Sequence, residues 1–197
     1  MQKKLVVYIF IFFLSASVFA SLFPYPVFSP YTNVTKSNMY EISNFKETEV
    51  NSQTESGIKT LLVDWNIADA LIEQERIYRL IDLNSGESIL IERIGGTQHA
   101  DVETIDEENT KTLFAITGEN WSWERRPVYL QLSDNVYLSA SMSAYPHGDS
   151  KLNNNLDGHI CLHFLNSKTH GSKKVDSSHQ KAIKEAQKNS SKLEELI

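Results

Sequence analysis

The sequence holds one cysteine in 197 residues, five prolines and eight glycines. A single cysteine excludes an internal disulfide, so an exported form of this chain must be held by its core alone. Basic charge is also short, with 19 Lys and Arg against 25 Asp and Glu and a formal net charge of −6. That balance argues against general nucleic-acid binding, which sets Lys and Arg against phosphate. No internal repeat or low-complexity array is present.

Long apolar runs are confined to the start of the chain. Lys3 and Lys4 precede an apolar run, Leu5 to Phe13, and Ser15 to Ala20 turns small. These are the three parts of a secretory leader, with Val18 and Ala20 at the −3 and −1 positions of a cleavage after Ala20. A spanning helix needs about 20 predominantly apolar residues, and Ser15, Ser17, Ser21 and Pro24 interrupt this stretch. Residues 1–20 are therefore expected to be a signal peptide, with only transient membrane contact. No cysteine lies near the cleavage point, which excludes a lipoprotein. The expected location is secreted, or extracytoplasmic.

Residues 21–58 read as a linker, with Pro24, Pro26 and Pro30 among many Ser, Thr, Asn and Glu and no sustained apolar period. A domain is expected over 59–182, followed by a polar helix or tail over 183–197. Strands are expected at 60–65, 77–83, 87–93, 127–132, 136–144 and 159–165, and helices at 67–72, 106–116 and 178–196. Asn84-Ser85-Gly86 is a hairpin signal between the second and third strands. The fold class expected is β-dominated α+β, a single compact domain of mostly antiparallel short strands with a few helices.

All six histidines lie beyond position 98. The densest segment is Gly158-His159-Ile160-Cys161-Leu162-His163-Phe164. In a strand, alternate side chains share a face, so His159, Cys161 and His163 would line one face with Ile160, Leu162 and Phe164 in the core. Two chemistries can use this pattern. Cys161 can be a nucleophile, with a nearby imidazole taking its proton; His147 in Pro146-His147-Gly148 is the best candidate base. Alternatively, His159, Cys161 and His163 ligate zinc, with one coordination position open for hydrolysis or with His147 or His99 as a further ligand. A third possibility is an inert thiol among hydrogen-bonded histidines.

Other segments bear on the same question. His99-Ala100-Asp101-Val102-Glu103 alternates its polar residues, as either a site wall or a solvated loop edge. Trp121, Trp123, Arg125 and Arg126 combine stacking surfaces with guanidinium groups, which suits a glycan or carboxylate ligand or an aromatic anchor with snorkelling arginines. His170, in Thr169-His170-Gly171, lies in a polar loop of the kind that faces sites. His179 is expected to start the last helix in a structural role.

The His147-Gly148 element and the His159-Ile160-Cys161-Leu162 run resemble the L,D-transpeptidases of the YkuD type, over roughly residues 136–165. That resemblance implies acyl transfer on peptidoglycan stem peptides without a cofactor, with Cys161 as nucleophile, His147 as base and His159 orienting. Trp121, Trp123, Arg125, Arg126, His163 and His170 would then contact substrate. The chain departs from the family pattern at Gly158, where Ser or Thr is usual, at Ile160, where Gly is usual, and at His163, where Arg is usual. Over residues 60–182 the HADVE, WSWERR, PHG, GHICLHF and THG blocks also resemble a group of exported bacterial cell-wall-associated domains. A non-catalytic wall-binding module is the remaining alternative.

Overall fold

The computed structural model describes residues 57–197. The expected leader, and the linker up to residue 56, lie outside the described residues. Seven strands form: β1 Lys59–Leu61, β2 Ile77–Asp82, β3 Ser88–Gly95, β4 Ala100–Thr104, β5 Arg125–Ser133, β6 Val136–His147 and β7 His159–His163. Their order is β1-β6-β5-β2-β3-β4-β7, and β7 pairs back onto β6. The six strands β2 to β7 thus close into an antiparallel barrel, which is the expected β-dominated α+β class. β6 is long enough to take two partners along one edge: β1 runs parallel to Val136–Leu138, and β7 runs antiparallel from Ser141 onward.

The local causes are readable in the chain. β2 and β3 flank a turn in which the Asp82 carboxylate accepts from the Asn84 and Ser85 backbone N–H groups at 3.2 and 2.9 Å. Asp82 is itself buried, and Arg126 neutralises it through two hydrogen bonds of 2.8 Å. Three described helices carry recognisable starts or faces: α1 Trp65–Leu71, α2 Glu107–Ile116 and α3 Ser177–Lys188. Asp106 caps α2 by accepting from Asn109 N–H, and Asp176 caps α3 by accepting from Ser178 and His179 N–H.

Two apolar layers result. Leu80, Ile91, Val102, Leu130, Ala140, Met142, Ile160 and Leu162 share one cluster with residues of α1 and α2. A second cluster on the outer face gathers Ile58, Ile81, Tyr129 and Tyr137 against Ala186 and Leu193. Ile58, at the end of the expected linker, and the expected C-terminal helix from 183 therefore both pack against the barrel. Ile183 and Ala186 are fully buried, and a short turn at Ser190–Lys192 leads into a fourth helix, α4 Leu193–Leu196, whose Leu193 is also buried. The tail reads as polar because its apolar residues form a single narrow stripe.

One buried carboxylate organises the connection from β6 to β7. Glu103 on β4 accepts from Ser150 Oγ at 2.9 Å, from Lys151 N–H at 2.6 Å, from Leu152 N–H at 3.0 Å and from Asn154 Nδ2 at 3.1 Å. Asn154 also donates to Thr104 O at 2.6 Å. Replacing Glu103 by Ala strands these donors and is expected to cost about 1–3 kcal/mol. The amides of Lys151 and Leu152 should lose hydrogen-exchange protection first. Unchanged protection there would show that the carboxylate does not hold the loop.

Candidate functional site

A row of side chains crosses the outer face of the barrel, set by strand register. Arg125 on β5 faces Ser143 on β6, Ser143 faces Cys161 on β7, and Cys161 faces Asp101 on β4. Strand alternation leaves Ile160, Leu162 and Phe164 in the core and turns Cys161 toward the histidines. Its Sγ lies 3.1 Å from His99 Nε2 and 3.4 Å from His147 Nε2. His99 Nε2 is 3.0 Å from His170 Nε2, and His170 Nε2 is 3.0 Å from Asp101 Oδ1. Asp101 Oδ1 is also 3.3 Å from His99 Nε2 and 3.7 Å from His159 Nε2.

Each group is delivered by a tight piece of backbone. His99 ends a turn in which Gly96 has φ +95°, and a Cβ there would lie 2.0 Å from His99 O. Buried Arg93 braces that turn, donating to Gly95 O and Gly96 O at 3.0 Å each, and Trp65 Nε1 donates to Thr97 O at 3.1 Å. His147 and His159 close the open end of the β6–β7 pair. A Cβ on Gly148 would stand 2.6 Å from His159 Cε1, and one on Gly158 would stand 2.6 Å from His147 O. Both glycines also have positive φ, +67° and +109°, so these positions favour glycine twice over. His170 arrives on a loop tied to the His99 turn by Lys168 N–H donating to Gln98 O at 2.9 Å.

The ring orientations share a rule. His99 Nδ1–H donates to Lys168 O at 2.6 Å, His147 Nδ1–H to Tyr145 O at 2.9 Å and His159 Nδ1–H to Asp149 O at 3.2 Å. A carbonyl only accepts, so each Nδ1 carries a proton and each ring turns its Nε2 toward the others. His159 Nε2 is buried and has no hydrogen-bond partner. Burial, then the charge of Asp101, pushes the Cys161 thiol up to about 12. Burial alone would raise Asp101, but where the rings are protonated a hydrogen bond from His99 and the charges of His99, His159 and His170 hold it below the usual carboxylate range. Burial lowers His147, helped by its neighbours His159 and His170.

Beneath this group lies a column of parallel imidazoles. His163 stacks on His99 at 4.2 Å between ring centres and on His179 of α3 at 3.6 Å. His179 Nδ1 lies 2.9 Å from Ser141 Oγ. Burial pushes His179 down to about 3 and His163 further still, so both stay neutral under ordinary conditions.

The structure brings together His147, His159, Cys161 and His170 of the expected site, and adds His99 and Asp101. Two sets of donors lie within 4.8 Å of one another: His99, Asp101, Cys161 and His170, and then His147, His159 and His170. His163 belongs to neither, which corrects the expected His159/Cys161/His163 ligand trio. It shares their face, but α3 covers that end and turns His163 into a stack. Trp123 sits at the rim, half exposed, stacked on Tyr145 at 4.8 Å and 5.0 Å from His147. Arg125 is drawn to Asp176 at 3.3 Å. Trp121 packs on Phe114 and Arg126 on Asp82, both away from the thiol. His99 and Asp101 were detectable only as alternating polar positions. Comparison with protein-family models, curated proteins and solved structures returns no match to this chain.

The depressed histidines set a pH dependence. The unfolded chain takes up protons near pH 6.5, while folded His179 resists them to about pH 3. The unfolded state therefore binds more protons in that window, and stability is lost as pH falls below about 6.5. The slope is about 1.4 kcal/mol per pH unit for each such ring. Urea unfolding at about pH 7 and pH 5 should show this loss, and His179→Phe should flatten it. An equal slope in the variant would remove His179 as its source.

Proposed function

We propose that this domain binds a zinc-class divalent ion through His99 Nε2, Asp101 Oδ1, Cys161 Sγ and His170 Nε2. One observation carries the reading: the donor separations of 3.1, 3.0, 3.0 and 3.3 Å. Tetrahedral ligands around zinc stand roughly 3.3–3.6 Å apart, given bond lengths of about 2.0–2.3 Å. Lone pairs held that close repel one another unless a proton or cation lies among them. The backbone carbonyl on His99 Nδ1 supports the same reading, because ligating imidazoles are usually oriented by a hydrogen bond at their other nitrogen.

Electrostatics separates this reading from a free nucleophile. Asp101 beside Cys161 disfavours a bare thiolate, yet the same carboxylate is a useful ligand once a cation is present. Four protein ligands close a tetrahedral site, so a zinc-class ion would supply Lewis acidity and an acidified water only where one ligand gave up its position. His170, with 46 % of its side chain exposed, is the ligand facing solvent, so it marks the side from which a substrate would approach.

A second reading is favoured by His147 Nε2 at 3.4 Å from Sγ. Cys161 would then attack a stem-peptide carbonyl of peptidoglycan, His147 would take the thiol proton and return it to the leaving amine, and an amine or water would resolve the thioester. This reading keeps the L,D-transpeptidase resemblance and an exported, cell-wall-associated setting.

Metal analysis of the purified chain distinguishes the two. The metal reading expects about one zinc per chain or more, and a thiolate-to-metal charge-transfer band on cobalt substitution that Cys161→Ser abolishes. It also expects metal-free Cys161 to react with iodoacetamide more slowly than a free thiol. Far less than one ion per chain, with fast labelling and crosslinking lost in Cys161→Ala, would establish the acyl-transfer reading instead.

A further inference from the structure

We propose that His147, His159 and His170 form a second station for the same class of ion, set outward of the first; this rests on the metal reading of the inner set. One ring nitrogen from each of the three lies within 4.8 Å of the other two. The ring centres of His147 and His159 are 4.7 Å apart, and those of His147 and His170 are 5.8 Å apart.

The backbone around these rings is built for their approach. Gly148 and Gly158 are the two positions where a side chain would collide with His159 or with the His147 main chain, at 2.6 Å in each case. A loop whose only task was to join β6 to β7 has no need of both. Tyr145 O and Asp149 O take the Nδ1 protons of His147 and His159, leaving both Nε2 lone pairs directed inward. His159 Nε2 is the telling atom, being buried and without a hydrogen-bond partner. Leaving a polar atom in that state is costly, and an ion removes the cost.

The two sets share His170 alone. One Nε2 lone pair serves one ion at a time, so His170 belongs to whichever ion it faces. Asp101 Oδ1 lies between the sets, 3.0 Å from His170 Nε2 and 3.7 Å from His159 Nε2. Burial grades across them: His99 is fully buried and Cys161 is 5 % exposed, whereas His147 and His159 are part-exposed. The inner set carries a carboxylate and a thiol that ionises on binding, while the outer set is imidazole only. Imidazole sets accept zinc, copper and nickel alike, so the outer station binds more weakly and exchanges faster. An ion arriving from solvent meets it first, and His170 is the ligand that passes between the stations.

Zinc titration of the full chain against a competing chelator, with native mass spectrometry for stoichiometry, tests this. The wild type should take two equivalents of unequal affinity. His147→Gln and His159→Gln should each weaken the looser one by more than about 10-fold and leave the cobalt–thiolate band of the tighter one intact. Cys161→Ser should do the reverse. One equivalent indifferent to His147→Gln and His159→Gln would overturn the outer station and leave the inner one standing. One equivalent that weakens in every variant would also overturn it, because a single ion would then be using all the donors. One equivalent lost only in the histidine variants would sink the inner reading, and with it the assignment of these histidines as a second station. No zinc in the wild type would overturn both. Matching thermal melts of the two histidine variants exclude misfolding as the cause.

Discussion

The register of β7 between β4 and β6 is the constraint on which the site depends. Pairing Cys161 with Asp101 on one side and Ser143 on the other puts the thiol in a crowded outer row. It also sends Ile160 and Leu162 into the apolar interior. A slip by one residue would invert every one of these side chains, exposing the core residues and burying three polar groups among apolar ones. Core packing therefore holds the site's geometry from the far side of the sheet.

Around that register, the remaining donors are held by main chain more than by other side chains. Carbonyls of Lys168, Tyr145 and Asp149 fix three imidazoles. Three glycines let the backbone pass where a Cβ would collide. Arg93 and Glu103, both buried, hydrogen-bond the two connections that present His99 and the His147/His159 pair, and Arg93 also ties in α1 through Asp69 and Ile72. Two charged residues that never touch the thiol thus set where its neighbours stand. Ligand groups held this way lose little freedom when an ion binds, which favours affinity.

Much of the barrel was legible because its strands are short apolar-rich runs set off by turn residues. The Asn84-Ser85-Gly86 turn, the 106–116 helix and the 159–163 segment each carry a local signal that the structure repeats. The partners of Cys161 were legible only in part. His147 lies in the same hairpin, but His99 is 62 residues away in sequence, and no local pattern shows that β4 closes the barrel against β7. HADVE alternates as a strand would, yet it follows two glycines and reads equally as loop. His163 misled for a related reason. Its position on the strand face is correct, and what decides its role is the covering helix, whose His179 takes the stacking place at its other side. The C-terminal helix hid its contribution because Ile183, Ala186 and Leu193 are few among lysines and glutamates.

The double partnership of β6 has a further consequence. Most open sheets end in strands with unpaired N–H and C=O groups, which invite pairing with another chain. Here β7 and β1 divide one edge of β6 between them, and β5 takes the other. The described sheet is left with the outer edge of three-residue β1 as its exposed ladder, too short a template for strand addition. An acidic domain with its edges sealed in this way is protected against edge-to-edge aggregation by its topology, without any cross-link.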